Sequence, residues 1–355
     1  MNNYLFFINQ LYAYSILRPL QEVIRRRGDE VAWFVHGTDD QYLRDDEKQL
    51  HTVAEVQAYQ PAAVFVPGNW APDFFPGVKV EVFHGLATDE TGKKGHYKIR
   101  GLFDLYCTHA PTVTQKFTAL AHQYGTFSVK QTGWPKLDPF FNVPQQIQTE
   151  IEALKKEINT DKPVVLYAST FSPSLTSAPQ LVDTIKKLSA SGQWHWLVTL
   201  HPKTPADVVA QYRRLAGPDL TFIDSSRDVL PLLKVADVML CDTSSIALEF
   251  MLLDKPVVTF HTRVPGPHVV DILQTTEIEA ALSHALSRPD ALMQATRAYV
   301  DKLHVYRDGQ SSERLLQATD EFILHEKDKL KPKPLNLWRK FQMRKRMGYY
   351  RLRGR

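Results

Sequence analysis

Apolar residues along this chain fall into short continuous runs, and segments of helical period lie between them. Such runs are typical of strands buried on both faces of a parallel sheet, and the amphipathic segments are typical of crossover helices. In the first half of the chain, the strand pattern occurs at residues 4–8, 30–35, 62–66, 78–83, 105–108 and 127–132. In the second half, it occurs at residues 163–168, 194–199, 220–223, 238–241 and 257–260.

The intervening segments carry the spacing of amphipathic helices. Gly28 and Gly125 follow the first two of them and are suited to end a helix. Alternating strands and helices predict an α/β protein with parallel sheets and helices on both faces. The predicted helices are residues 17–27, 112–124, 145–159, 181–191, 206–215, 229–235, 246–253, 278–286 and 291–299.

A chain of 355 residues is long for one compact core, so two domains of about 150 residues each are expected. The boundary falls between residues 139 and 161, where Pro144 precedes a polar helix. We predict a Rossmann-like domain at 1–143, a second at 144–326, and a basic helical tail at 327–355. Two doubly wound domains facing a cleft are expected to bind a ligand in that cleft.

Composition narrows the class of protein. The apolar fraction of 43% is typical of a folded globular protein. Cys107 and Cys241 lie far apart without metal-ligand spacing, which fits a reducing cytoplasm. The first residues lack the pattern of a signal peptide, and no apolar run is long enough to predict a membrane-spanning helix.

Charge is distributed unevenly. The formal net charge is +4, yet residues 329–355 contain 11 Lys and Arg and no acidic residue. The rest of the chain therefore has 32 basic and 39 acidic residues, a net charge of −7. Aromatic and aliphatic residues interleave with the basic ones, a mixture suited to an anionic membrane surface. A nucleic-acid-binding tail and a plain solvated helix are the alternatives.

One strand end is rich in small polar residues. The apolar run 238–241 stops at Asp242, and Thr243, Ser244 and Ser245 precede a helical pattern. Hydroxyls and free N–H groups at a helix start are suited to bind phosphate. An ordinary N-cap explains the same residues.

Histidines follow a predicted strand in each half of the chain. His84 precedes Gly85, and His201 precedes Pro202. An imidazole at such a position serves as a general base or as a hydrogen-bond donor to phosphate. A histidine that only bonds a loop carbonyl is the alternative for each.

Further polar residues stand at other loops. Ser169 and Thr170 follow the first strand of the second half, and Arg307, Asp308 and Ser312 precede a C-terminal helix. Hydroxyls and a guanidinium suit phosphate, although turns and helix caps use the same residues. The chain lacks a Gly-rich dinucleotide fingerprint, a Walker loop and a metal-ligand cluster, so neither a cofactor nor a metal is expected.

Taken in order, these segments resemble the CDP-glycerol glycerophosphotransferase family of teichoic acid and capsule synthesis. Lys136 replaces an arginine of the family's motifs, Ser169 a proline and Thr243 a tyrosine. The family's proline and lysine after His-Gly also differ here. The matching motifs are His84-Gly85, Gly133-Trp134-Pro135-Lys136-Leu137-Asp138, Tyr167-Ala168-Ser169-Thr170-Phe171, His201-Pro202, Asp242-Thr243-Ser244-Ser245 and Asp308-Gly309-Gln310-Ser311-Ser312-Glu313-Arg314.

The resemblance implies a fold of the glycosyltransferase-B type. It also implies a reaction in which a glycerol-phosphate-type group passes from CDP-glycerol to a hydroxyl of a glycan or lipid-linked glycan, with release of CMP. By the same resemblance His84 is the base, while His201 and the hydroxyls of residues 243–245 hold the pyrophosphate. The other implied donor-site residues are Ser169, Thr170, Asp242, Arg307, Asp308 and Ser312, and the implied acceptor-side residues are Gly85, Asp89, Lys93 and Lys94.

The expected location is the cytoplasmic face of the membrane, with residues 329–355 as the anchor and without a nucleic-acid partner. Two other functions remain open from the sequence. One is a glycosyltransferase of the same fold that uses a nucleotide sugar, and CDP-ribitol is an alternative donor for the transferase. The other is a non-catalytic nucleotide-sugar-binding or scaffold protein with a membrane- or RNA-binding tail.

Overall fold

The structure is a computed structural model that describes residues 1–86 and 96–350. Its strands, in chain order, are β1 Asn3–Ile8, β2 Glu30–Val35, β3 Ala63–Val66, β4 Val78–Glu81, β5 Leu105–Thr108, β6 Ser128–Gln131, β7 Val164–Ser169, β8 His195–Leu200, β9 Leu220–Ile223, β10 Val238–Cys241, β11 Val257–Phe260 and β12 Val270–Ile272. Its α-helices are α1 Tyr12–Arg26, α2 Val53–Tyr59, α3 Pro111–Tyr124, α4 Asp138–Phe141, α5 Gln145–Ile158, α6 Ala178–Ala190, α7 Ala206–Arg213, α8 Leu230–Val235, α9 Ile246–Met251, α10 Ile278–Leu286, α11 Asp290–Asp301, α12 Ser311–His325 and α13 Leu337–Arg346.

The strands form two parallel six-stranded sheets. One has the order β2-β1-β3-β4-β5-β6, and the other has the order β12-β11-β10-β7-β8-β9. Central strands are buried on both faces, as their continuous apolar runs predict. The predicted α/β class with two Rossmann-like sheets is confirmed.

Each sheet has its own apolar core. In the first, Leu5, Phe7 and Val64 pack with aromatic residues such as Phe75 and Phe117. In the second, Val165, Tyr167 and Trp196 pack with residues of α6 and α10. Each core therefore supports the carboxyl ends of its own strands, where ligands bind in sheets of this type.

The chain divides into two compact units whose boundaries differ from the predicted domains. The first unit comprises Met1–Asn142 and Lys302–Arg355, and the second comprises Val143–Asp301. The sequence prediction grouped residues 302–326 with the second domain. Helix α12 instead packs on α1 and on the turn after β6. Tyr4 of β1 donates to Asp320 at 2.7 Å, and Arg26 of α1 pairs with Glu313 at 2.5 Å.

Some elements differ from their predicted bounds. Helix α1 begins at Tyr12, five residues before the predicted start, and contains Pro19 at its middle. Helix α2 and strand β12 were not predicted. The basic segment contains helix α13, which lies in the first unit.

Candidate functional site

The imidazole of His84 lies exposed beyond the carboxyl end of β4. Its Nδ1 is 3.0 Å from the carbonyl oxygen of Pro67, at the end of the neighbouring strand β3. A carbonyl oxygen only accepts hydrogen bonds, so Nδ1 carries the proton in the neutral ring. The lone pair then resides on Nε2, which suits His84 to take a proton from a bound hydroxyl.

The backbone just before His84 is strained. Phe83 has a φ of +61°, in the left-handed region that bulky residues rarely adopt. Its side chain is only 5% exposed and contacts Tyr106, His109 and Phe117. This aromatic packing holds the turn that directs His84 out of the sheet.

A small polar cavity of about 10 Å³ adjoins His84, room for roughly one water molecule. The carboxyl of Glu81 is fully buried at this cavity, and burial raises its pKa well above the usual range despite the opposing effect of Arg100. Other lining residues are Asn69, His96, Lys98 and Tyr106. Burial therefore favours the neutral form of the Glu81 carboxyl beside His84.

The predicted acceptor-side residues are only partly described. Gly85 follows His84 beyond the carboxyl end of β4 and is partly exposed. Asp89, Lys93 and Lys94 lie outside the described residues.

In the second unit, Asp242 organises the loop after β7. This carboxylate is 1% exposed and accepts four hydrogen bonds. The donors are the Ser169 hydroxyl at 2.5 Å, the Thr170 N–H at 2.9 Å, and the N–H and hydroxyl of Ser177 at 2.9 and 3.0 Å. Because its oxygens are occupied, Asp242 ties the end of β10 to the loop after β7 instead of facing a ligand. Ser169, 5% exposed, serves the same internal link.

The hydroxyl groups of the three residues after Asp242 take part in fewer hydrogen bonds than the Asp242 carboxylate. Ser245 occupies the N-cap position of α9, but its hydroxyl makes no capping hydrogen bond. Thr243 accepts the N–H of Arg263 at 3.0 Å. Among the described residues, the hydroxyls of Ser244 and Ser245 have no hydrogen-bond partner, and both side chains are accessible. They are therefore free to contact phosphate oxygens.

His201 lies at the carboxyl end of β8 with the opposite proton arrangement from His84. The N–H of Lys203 donates to its Nδ1 at 3.1 Å, so the neutral ring carries its proton on Nε2. Burial and the charge of Lys203 lower the pKa of His201, which favours this neutral form. The ring of Phe171 packs against it with centroids 4.3 Å apart. His201 is thus a fixed hydrogen-bond donor.

A cavity of about 500 Å³ opens beside His201 within the second unit. Its walls include apolar groups such as Phe222 and a polar rim in which Arg213 pairs with Asp224 at 3.0 Å. The hydroxyl of Thr204 is buried there and lacks a hydrogen-bond partner among the described residues. The size suits a nucleoside-sized ligand.

The segment after Arg307 lies against the turn after β6, all within the first unit. Asp138 accepts the N–H groups of Ser311 and Ser312 at 2.7 Å each, which caps α12. Gly133 adopts a φ of +84°, and a Cβ there would lie 2.5 Å from the Ser311 hydroxyl. Two motifs far apart in sequence therefore form one structural joint.

This placement corrects the predicted grouping of three residues with the second domain. Ser312 is fully buried, Asp308 accepts two hydrogen bonds from Arg314 at 2.9 and 2.7 Å, and Arg307 donates to the His304 carbonyl at 2.7 Å. All lie in the first unit. Their contacts organise the entry to α12.

Two other kinds of feature are absent from the described residues. Across residues 1–86 and 96–350, no cluster of three or more His, Cys, Asp or Glu side chains is arranged to hold a metal ion. In the same part of the chain, no helix combines the length and apolarity needed to cross a bilayer.

Proteins of teichoic acid synthesis are similar to this chain. The teichoic acid ribitol-phosphate polymerase TarK of Staphylococcus aureus (strain NCTC 8325 / PS 47) is 27% identical over 274 residues, 67% of this chain and 50% of that protein. A teichoic acid glycerol-phosphate primase of Bacillus spizizenii (strain ATCC 23059 / NRRL B-14472 / W23) is 26% identical over 180 residues, 47% of this chain and 46% of that protein. The chain thus spans about half the length of the curated relatives it matches.

Structural similarity extends further than sequence similarity. A structure of a variant of the wall teichoic acid polymerase TagF, soaked with CDPG, aligns with a TM-score of 0.63 at 13% identity, over 92% of this chain and 90% of that one. Residues 28–319 match the model of the CDP-glycerol:poly(glycerophosphate) glycerophosphotransferase family, which covers most of the chain and all six motifs. The chain belongs to that family.

Proposed function

We propose that this protein transfers a polyol-phosphate group, of the glycerol-phosphate type, from a CDP-linked donor to a hydroxyl of a glycan or lipid-linked surface polymer precursor, releasing CMP. The observation that carries the proposal is the complementary state of two strand-end histidines. His84 presents a lone pair on Nε2, and His201 presents an N–H on Nε2. Phosphoryl transfer needs a base for the nucleophile and a donor for the leaving group.

On the acceptor side, Nε2 of His84 takes the proton from the acceptor hydroxyl. The freed oxygen attacks the phosphorus that carries the polyol and forms the new phosphodiester bond. The bond from that phosphorus to the bridging oxygen of the pyrophosphate breaks, and its electron pair leaves with CMP. The reaction thus converts one P–O bond into another, with the proton held on His84.

On the donor side, the leaving CMP phosphate gains negative charge as the bridging bond breaks. The Nε2–H of His201 and the hydroxyls of Thr170, Ser244 and Ser245 are suited to stabilise that charge. Asp242 contributes by fixing the loop that carries Thr170. The 500 Å³ cavity beside His201 is the proposed place for the nucleoside end of the donor.

The proposed partner of the basic tail is an anionic membrane surface on the cytoplasmic side. Helix α13 exposes Leu337, Trp338 and Phe341, and its remaining positions are mainly Arg and Lys. Trp338 and Phe341 stack at 6.0 Å between ring centroids, which gives one apolar patch. Apolar and basic groups on one short helix suit an interfacial position at lipid headgroups.

The function is tested by measuring CMP release from CDP-glycerol and CDP-ribitol with a synthetic glycan acceptor. His84→Ala should lower turnover at least about 100-fold, because a general base contributes that much or more. Its affinity for the donor, measured by calorimetry, should stay within about twofold of wild type, since His84 lies in the first unit and the proposed donor-binding residues lie in the second. His122→Ala, at an exposed histidine of α3, is the matched control.

Two outcomes would contradict the proposal. Normal turnover in His84→Ala would remove this residue as the base. The second outcome is a wild-type protein that binds neither CDP-linked donor but gains thermal stability from a UDP-sugar. Because a true ligand stabilises the folded state, that result would assign a nucleotide sugar as the donor.

A further inference from the structure

An aromatic side chain outside the family's motifs lies against His84. Tyr12 is the first residue of α1, just beyond the end of β1. Its ring stacks on the imidazole with centroids 5.7 Å apart and an angle of 27° between planes. Strands β1, β3 and β4 are neighbours in the sheet, so Tyr12, Pro67 and His84 come from three adjacent strand ends.

Together these neighbours restrict the imidazole in two ways. The Pro67 carbonyl fixes the edge of the ring that carries Nδ1, and the Tyr12 ring fixes its plane. An exposed histidine with one hydrogen bond still rotates about that bond. The stacking contact with Tyr12 removes this rotational freedom. A base held in the reactive orientation accelerates proton transfer far more than a mobile one.

The exposure of Tyr12 indicates a role beyond packing. The side chain is 42% exposed although it lies beside the base, and the adjacent Leu11 is 48% exposed. A phenol ring offers an apolar face and a polar tip, which suits the carbon face and hydroxyls of a sugar or polyol. Burial and the nearby Glu81 raise the pKa of Tyr12, so its hydroxyl stays protonated.

We propose that Tyr12 is a positioning residue for His84 and the aromatic floor on which the sugar or polyol end of the acceptor lies. This inference rests on the proposed function, in which His84 is the base. The contact places the acceptor hydroxyl beside Nε2, because one ring touches both the base and the acceptor. Specificity on this side is then for an acceptor with a carbon face next to its reactive hydroxyl.

The experiment compares Tyr12→Ala and Tyr12→Phe with wild type in CMP release from CDP-glycerol. The acceptor is a synthetic alkyl disaccharide that ends in one glycerol phosphate. Tyr12→Ala should lower kcat and raise the acceptor KM, with a combined loss of about 10- to 100-fold, while the donor KM is unchanged. Tyr12→Phe keeps the ring and should restore most of the activity. Tyr124→Ala, an exposed tyrosine at 46%, is the control.

A second readout needs no turnover. In NMR spectra, the Hε1 resonance of His84 should move in Tyr12→Ala, because the ring current of the stacked phenol is lost, and should stay near its wild-type position in Tyr12→Phe. Since Tyr12 is well exposed, the alanine variant should remain folded, and circular dichroism checks this.

The results separate this inference from the proposed function. Wild-type acceptor KM and kcat in Tyr12→Ala, or an unmoved His84 resonance, would overturn the role of Tyr12. Equal losses in Tyr12→Phe and Tyr12→Ala would overturn the ring-stacking explanation. A wild-type protein without CMP release defeats the proposed function instead, and the NMR comparison still decides whether Tyr12 orients His84.

Discussion

One hydrogen bond to a backbone group determines which ring nitrogen carries the proton in each of the two histidines, His84 and His201. The residue after His201 is Pro202, which has no N–H, so the N–H of Lys203 is the first one that can turn back to Nδ1. His84 instead reaches sideways to a carbonyl at the end of the next strand. Each ring is thereby limited to one neutral tautomer, and its exposed nitrogen follows from that choice.

A substitution of Asp242 tests whether its hydrogen bonds hold the loop after β7 in place. Asp242→Asn replaces acceptor capacity with an N–H₂ group that faces donors already in place. Hydrogen bonds to a buried charge contribute about 1.5–3 kcal/mol each, so we expect a loss of about 3 kcal/mol in unfolding free energy. The donor KM should rise as well, because the loop with Thr170 loses its anchor. Urea unfolding followed by tryptophan fluorescence and steady-state kinetics measure the two effects.

The matched control is Asp183→Asn on the exposed face of α6. A surface change of this kind should stay within about 0.5 kcal/mol of wild type. Equal stability of Asp242→Asn and Asp183→Asn would show that the Asp242 network contributes little.

At the scale of elements, strands were predicted more closely than the short peripheral pieces. Strands β2, β5 and β10 have the predicted bounds, because a strand buried on both faces is a continuous apolar run. Helix α2 was not predicted because only Val56 is buried among its seven residues, which leaves no helical pattern of apolar positions. Its sequence signal is the capping box of Thr52 and Glu55. Strand β12 has three residues at a sheet edge, too few for a recognisable pattern.

The candidate site was predictable in its motifs but not in its contacts. Sequence order placed His84, His201 and Asp242 at strand ends, where the structure has them. It did not reveal Tyr12 or the Pro67 carbonyl, since those contacts depend on the strand order of the sheet. From the sequence, Asp242 was also assigned to the donor site. The hydrogen-bond donors that surround this carboxylate come from a loop about seventy residues away, so the sequence pattern could not reveal them.

Two buried histidines at the segment before α12 predict acid sensitivity. His304 lies in this segment, and His109, just after β5, bonds its Leu303 carbonyl at 2.8 Å. Burial lowers the pKa of His109 to about 4 and that of His304 to about 3. His304 accepts the Trp134 N–H at 3.0 Å, so its neutral form joins this segment to the turn after β6. The unfolded chain binds a proton at each histidine near pH 6.5, whereas the folded one does not. Stability is therefore retained above about pH 6.5 and lost as the pH falls towards 4.

By pH 5 the expected loss is about 2 kcal/mol per histidine, from a slope of about 1.4 kcal/mol per pH unit. Urea midpoints at pH 7.5 and pH 5 measure it. His304→Gln should show a smaller difference between the two pH values, and His122→Gln, at an exposed position of α3, should behave as wild type. An unchanged pH dependence in His304→Gln would contradict this account.

At the scale of the whole molecule, the basic tail is part of the first unit. Met343 is 4% exposed, Arg344 pairs with Asp73 at 3.1 Å, and Tyr349 stacks on Phe74 at 4.5 Å. The other side of α13 leaves Trp338 68% exposed. Deleting the segment would therefore disturb packing as well as the proposed lipid binding, and surface substitutions are the cleaner test.

We expect the double substitution Trp338→Ala with Phe341→Ala to weaken binding to vesicles of mixed phosphatidylglycerol and phosphatidylcholine by at least about tenfold, through lost apolar burial. Sedimentation with vesicles measures this, and raised salt should weaken wild-type binding further. Tyr124→Ala controls for loss of an exposed aromatic. Binding that survives both the double substitution and high salt would refute the membrane assignment.

The second unit is one uninterrupted stretch, Val143–Asp301, enclosed between two pieces of the first. A gene exchange with breakpoints near codons 142 and 302 would therefore swap that unit as a cassette. The proposed acceptor base, its aromatic floor and the tail would stay with the host gene, while His201, Asp242 and the nucleoside-sized cavity would travel together. Under the proposed function, donor preference and acceptor preference would then be separately inheritable traits.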